Sequence, residues 1–185
     1  NLYPLMWVGL SREFWDDRRN DRDFMFFNRS GYTGIAAKSS LHWLGDQLTS
    51  FDRNDGFGSV IPLYITAGLS GIPLTHSDVG GYTSGGGVNR DYELWARWVG
   101  LEAFTPFMRT HHSAAPETNI QWQSNEETLA LFKIYGRWHQ RLMPYFAGLV
   151  TESVATGAPP VRPIWWHDDE NAGLFSVEDE VLVGA

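Results

Sequence analysis

The chain has 185 residues, with nine Trp, eleven Phe, seven Tyr, no Cys and a formal net charge of −8. That length holds a real hydrophobic core, while an acidic balance with interspersed bases argues against a nucleic-acid surface. The lack of thiols excludes a disulfide scaffold or thiolate metal site, and no apolar run has the length of a membrane span.

At the N-terminus, Leu2, Leu5, Met6 and Leu10 recur at helical spacing before charges take over. They predict a helix from residue 2 to about residue 20. No signal peptide is read there, and the chain, lacking an initiating Met, reads as beginning mid-fold. Phe24-Met-Phe-Phe27 is a short apolar run ending at Asn28-Arg29, a buried-strand pattern. Residues 41–44 form the next run, ending at Gly45-Asp46. Residues 55–69 read as a helix stopped by Gly71-Ile-Pro73. Residues 72–75 read as a third strand, ending at His76-Ser77-Asp78. The glycine-rich loop over residues 80–87 is expected to be exposed and adaptable. Residues 91–103 read as a helix with Leu94, Trp95, Trp98 and Leu101 on one side. Residues 105–108 are a fourth strand candidate, leading into Arg109-Thr-His-His112. Ser124 and Glu127 have capping-box spacing and open a helix through Leu129, Phe132, Tyr135 and Trp138. Pro144 is expected to kink or interrupt it before a second helical piece ending near Gly157. Residues 161–165 are a last strand candidate, and residues 180–185 start one more element.

Alternating strands and helices favour a parallel sheet. The polar residues able to do chemistry all follow strands: Arg29, Asp46, His76 with Asp78, and Arg109 with His111. In a (β/α)8 barrel such points converge on one face. An open doubly wound sheet also gathers sites at strand ends, but no G-x-G-x-x-G or P-loop motif is present. The fold class expected is therefore α/β, a partial (β/α)8 TIM barrel. A whole barrel takes about 250 residues, so this is its C-terminal half to two-thirds. Residues 1–178 are assigned to the barrel, and residues 179–185 to the start of a following β element or domain.

Asp46 is the most informative residue. It leaves an apolar run beside Trp43 and Gly45, and a carboxylate next to an indole sits where its charged form is disfavoured. A general acid working near neutral pH needs such a place. Asp46 could equally cap the helix that follows, and local pattern leaves both readings open. The many Trp and Tyr rings would suit stacking on the C–H face of a sugar, although most must be core.

Six segments in order carry a family resemblance: Asn1-Leu-Tyr-Pro-Leu-Met-Trp7, Arg29-Ser-Gly-Tyr-Thr-Gly34, His42-Trp-Leu-Gly-Asp-Gln47, Ser77-Asp-Val-Gly-Gly-Tyr82, Phe104-Thr-Pro-Phe-Met-Arg-Thr-His111 and Arg162-Pro-Ile-Trp165. Over nearly its whole length the chain resembles glycoside hydrolase family 31, the retaining α-glycosidases. Within that family it is most similar to the sulfoquinovosidases. Three details point there: Gln47 where many α-glucosidases have Asn, Tyr82 where they usually have Phe, and Met108-Arg-Thr-His111 where they tend to have Ser-Arg-Asn-His.

The resemblance makes Asp46 the general acid/base, protonating the leaving oxygen and then activating water. It implies that Arg29 and His111 hold sugar hydroxyls, that Trp43 walls the site, and that Asp78 lies near the pocket as a support. The other readings are a rim ion pair for Arg29, a loop anchor for His111 and a plain pocket wall for Tyr82. Tyr82 is implied to bind a sulfonate, since a phenol donates a hydrogen bond and a phenyl ring cannot. It would do so jointly with an arginine and a tryptophan that lie outside this chain. The family's aspartate nucleophile matches nothing here: Asp16 and Asp17 follow Phe14-Trp15 but sit in a charged helix end. The segment alone is thus expected to be inactive. No cofactor and no metal are expected, since His111 and His112 are adjacent and no H-E-x-x-H occurs. The expected partner is a small-molecule glycoside, with neither nucleic acid nor a membrane span. Oligomeric state and compartment leave no trace in these residues, though the resemblance leans to the cytoplasm. The alternatives are an α-glucosidase or α-xylosidase of the same family, or a non-catalytic carbohydrate-binding protein.

Overall fold

In the computed structural model, which describes residues 2–18, 25–85 and 87–184, short parallel strands alternate with helices. Helix α1 (Tyr3–Arg18) leads to β1 (Phe27–Asn28) and β2 (Leu41–Trp43), and α2 (Phe57–Leu69) follows. Next come β3 (Thr75–His76), β4 (Asp78–Val79), α3 (Tyr92–Glu102) and β5 (Arg109–Thr110). Strands β1, β2 and β3 pair in parallel, as do β4 and β5. Only Ser77 separates β3 from β4, so the two are one strand broken at a single residue. The expected ends at Asn20 and Phe24 lie outside the described residues.

Register sets the inner face. Trp43 pairs with His76 and Asp78 with Arg109, so these four side chains point the same way, with Phe27 packed edge-on against His76 at 5.2 Å. On the other face, Val79 packs with Val60 and Tyr64 of α2 and with Leu94, Trp95, Trp98 and Val99 of α3, all fully or almost fully buried. Burial of each such side chain contributes about 1.5–3 kcal/mol.

Several expectations are corrected. Strand β5 lies at 109–110 and not 105–108, because Thr105 closes α3 instead, its Oγ1 donating to the Glu102 and Phe107 carbonyls. Helix α4 (Glu126–Thr156) is capped one residue later than Ser124: Asn125 Oδ1 accepts from Thr128 N, and Thr128 Oγ1 accepts from Asn125 N. Ser124 is occupied elsewhere, accepting from Gln121 N at 2.8 Å. Pro144 does not split α4; one missing bond, about 3 kcal/mol, is offset within a 31-residue helix packed on α3. Helix α1 covers Tyr3–Arg18 of the predicted helix, but the apolar Leu2, Met6 and Leu10 are exposed and Val8 is the buried side chain. The last strand candidate shortens to β6 (Val161–Pro163), followed by a 3-10 turn over Ile164–His167. It pairs antiparallel with β7 (Val181–Val183). No helix among the described residues is long and apolar enough to cross a membrane.

Candidate active site

Each strand end delivers one part of the site. After β1, Arg29 Nη2 donates to Asp46 Oδ2 at 2.7 Å, and its guanidinium lies 4.9 Å from the Trp43 ring centroid. The Asp46 side chain is 28% exposed, open enough to meet a ligand. After β4, Tyr82 meets His111 from β5 edge to face at 5.0 Å. The Ser113 backbone N–H donates to His111 Nδ1 at 2.9 Å, which places the imidazole proton on Nε2. Burial lowers the His111 pKa, with Arg109 and Arg90 adding to the effect and Asp46 opposing it. His111 is thus a neutral ring with one directed donor. The Tyr82 hydroxyl has no hydrogen-bond partner among the described residues.

Below these groups, the inner face holds a buried ionic layer. Arg109 pairs with Asp78 through Nη2, and its Nε donates to His76 Nε2 at 3.0 Å. The same guanidinium lies 5.6 Å from Trp43 and 5.3 Å from Phe27. Trp43 therefore has a cation near its ring from both Arg29 and Arg109. Burial pushes the Asp78 carboxyl up to about 6 against the pull of Arg109. Burial, then Arg109, holds His76 down at about 3, so His76 is neutral and accepts. Asp78 Oδ2 and Trp43 Nε1 are both buried without a partner of hydrogen-bonding geometry, although the indole is near enough to favour the charged carboxylate.

The glycine-rich loop is corrected most. Gly80 and Gly81 are buried, Tyr82, Thr83 and Ser84 are half-buried, and Gly85 and Gly87 are exposed. Both have left-handed backbones, φ 86° and 78°. A Cβ at Gly81 would come within 2.8 Å of the Leu48 carbonyl, and one at Gly80 within 2.4 Å of Arg90. The loop is laced to the Asp46 segment: Tyr82 N and Thr83 N both donate to the Gln47 carbonyl, and Thr83 Oγ1 donates to the Asp46 carbonyl at 2.8 Å. Gln47 itself is 2% exposed and donates to the Leu44 carbonyl.

Two parts were not legible beforehand. Arg90 is 1% exposed and donates to the carbonyls of Gly80, Gly81, His111 and Ile120 and to Gln121 Oε1. It pins the Tyr82 loop to the His111 loop, and burial holds its pKa down at about 10, so it stays a cation. A lone arginine before a helix cap gives no pattern signal for that role. Glu102 is fully buried and lifted to about 7 by burial; its α3 position predicts a core face, where an acid is unexpected. The structure thus joins Arg29, Trp43 and Asp46 directly, joins Tyr82 to His111, and sets Asp78 beneath them beside Arg109. Asp46 acts electrostatically on both His111 and Asp78. Among the described residues, no three His, Asp or Glu side chains converge as a metal cage.

The chain is similar to known proteins. The model of the glycosyl hydrolases family 31 TIM-barrel domain matches residues 1–149. A sulfoquinovosidase of Agrobacterium fabrum is 38% identical over the whole chain, and one of Escherichia coli is 33% identical. The solved structure of a family 31 sulfoquinovosidase from E. rectale, in complex with an aza-sugar inhibitor, superposes on 98% of the chain. Its TM-score is 0.91 at 37% identity. The chain spans 28% and 27% of the two curated relatives and 27% of the solved chain.

Proposed function

Because the chain belongs to glycosyl hydrolases family 31, we propose that it is the acid/base-bearing part of a retaining α-glycosidase that cleaves α-sulfoquinovosides. In this reading Asp46 carries the proton chemistry. In the free site Arg29 donates to the Asp46 carboxylate; when a sugar hydroxyl takes over the guanidinium, the released carboxylate takes up a proton from solvent. Asp46, protonated, then gives its proton to the leaving glycosidic oxygen. In the second step the carboxylate removes a proton from water, and the oxygen attacks the glycosyl–enzyme. The carboxylate that forms this intermediate comes from outside the chain.

His111 offers Nε2–H to a second hydroxyl, and Trp43 closes the wall beside Asp46. Contacts that strengthen as the sugar ring flattens add to rate as well as to affinity. Asp78 acts through Arg109, holding that cation close to Trp43.

The observation that carries the sulfonate assignment is the Tyr82 hydroxyl. Its ring is fixed on His111 and its loop is fixed by Arg90, yet its hydroxyl bonds to none of the described residues. A fixed, unpaired phenol suits an anionic oxygen. The two sulfoquinovosidases and the aza-sugar complex described above support the same reading. The test compares hydrolysis of an aryl α-sulfoquinovoside and an aryl α-glucoside by a longer polypeptide carrying this segment. Comparable or faster cleavage of the glucoside defeats the sulfonate assignment.

A further inference from the structure

The break between β3 and β4 is held by a polar cluster inside an apolar core. Ser77, the one residue between the strands, is fully buried. Its N–H donates to Tyr64 Oη of α2 at 3.2 Å. Its Oγ accepts from Trp98 Nε1 of α3 at 2.8 Å and donates to Glu102 Oε1. Tyr64 Oη donates to the same Glu102 oxygen at 2.6 Å, and Thr105 Oγ1 lies 3.2 Å from the other. Glu102 is thus the common acceptor for groups from α2, the strand break and the end of α3.

The break is also where the sheet changes partners. On one side His76 continues the pairing with β2, and on the other Asp78 pairs with Arg109 of β5. Both neighbours of Ser77 bind the same guanidinium, through His76 Nε2 and the Asp78 carboxylate. Rotation of Ser77 would therefore move both contacts of Arg109 at once, and with them the cation near Trp43.

We propose that Glu102 is a positioning residue: by holding Ser77 it sets where His76 and Asp78 grip Arg109, and so the floor of the site beside Asp46. Burying a carboxyl here costs stability, since burial lifts Glu102 to about 7 despite hydrogen bonds from Ser77, Tyr64 and Thr105. A well-packed apolar side chain would serve a purely structural core as well or better. The inference rests on the glycosidase reading for its readout.

The test uses Glu102→Leu, Glu102→Gln and Tyr64→Phe in a longer polypeptide carrying this segment, with kcat, KM and thermal midpoint on an aryl α-glycoside. Glu102→Leu lowers kcat about tenfold to a hundredfold, the cost of a misplaced group, with KM close to wild type. Glu102→Gln keeps an acceptor oxygen for Ser77 and Tyr64 and recovers most of kcat. Unchanged kcat in a folded Glu102→Leu protein overturns the proposal, as does a Gln variant as impaired as Leu. A rate loss no larger than the unfolded fraction overturns it too. Should Glu102→Leu fail to fold, Tyr64→Phe decides. A fall in kcat at an unchanged midpoint supports positioning, and wild-type kcat refutes it. A wild-type protein with no turnover on any aryl α-glycoside fails earlier, at the glycosidase reading, and takes this inference with it.

Discussion

Asp78→Asn is expected to stabilise the folded protein while impairing it. The Asp78 side chain is 0% exposed, and burial lifts its carboxyl from 3.8 to about 6. At about 1.4 kcal/mol per pH unit, that shift means the buried carboxylate costs about 3 kcal/mol once fully ionised. Between 3.8 and about 6 the folded state binds the extra proton, so stability falls as pH rises through this window. The cost is complete above it. Asparagine carries no charge, so the variant is expected to be more stable than wild type by up to about 3 kcal/mol near pH 8. The advantage shrinks towards zero near pH 4. His76, lowered to about 3, runs the other way, its stability contribution rising with pH up to 6.5. It is present in both proteins and cancels in the comparison. Urea unfolding of the longer polypeptide at both pH values, followed by tryptophan fluorescence, measures the difference. An Asn variant less stable near pH 8, or a difference that does not change with pH, would refute the reasoning. It would mean that the Arg109 ion pair outweighs burial. Activity is expected to fall in the same variant, because Arg109 loses its anionic partner.

Asp46→Ala is expected to lower turnover about a hundredfold to ten-thousandfold, with partial recovery on substrates with good leaving groups or with added azide; unchanged turnover in steady-state assays would exclude the acid/base role. Tyr82→Phe is expected to reduce kcat/KM for an aryl α-sulfoquinovoside about tenfold to a hundredfold, the worth of one hydrogen bond to a charged group, and to leave the aryl α-glucoside unaffected. Arg90→Leu leaves the buried carbonyls of the Tyr82 and His111 loops without their donor; a loss of about 1–3 kcal/mol for each carbonyl left unpaired is expected, read as a lowered thermal midpoint, and an unchanged midpoint would show that the loops hold themselves.

The barrel layout was legible because its signals are local. Apolar runs ending near Arg29 and Asp46 mark strand ends from spacing alone, and β2 and α3 lie within a residue or two of where periodicity put them. The break at Ser77 was not legible, because it depends on Tyr64, Trp98 and Glu102, which come from two other helices. The loop over residues 80–87 was misread for a related reason. Glycine richness resembles flexibility in sequence, but here it lets backbone approach backbone at Gln47 and Leu48. Arg90 followed no pattern, since its five acceptors span residues 80 to 121 and converge only in the folded chain. The cap of α4 slipped by one residue because Ser124 and Asn125 are both competent caps, and Gln121 N engages the first.

The bond from Thr83 Oγ1 to the Asp46 carbonyl links two tasks that an engineer would want to separate. Tyr82 and Thr83 are adjacent, so any redesign of that loop for another sugar also tugs on the backbone carrying the proposed proton donor. Under the proposed function, swapping the whole loop from another member of the family would then change turnover on every substrate, old and new alike. Single side-chain exchanges at Tyr82, with Gly80, Gly81, Thr83 and Arg90 left in place, offer the narrower route to altered preference.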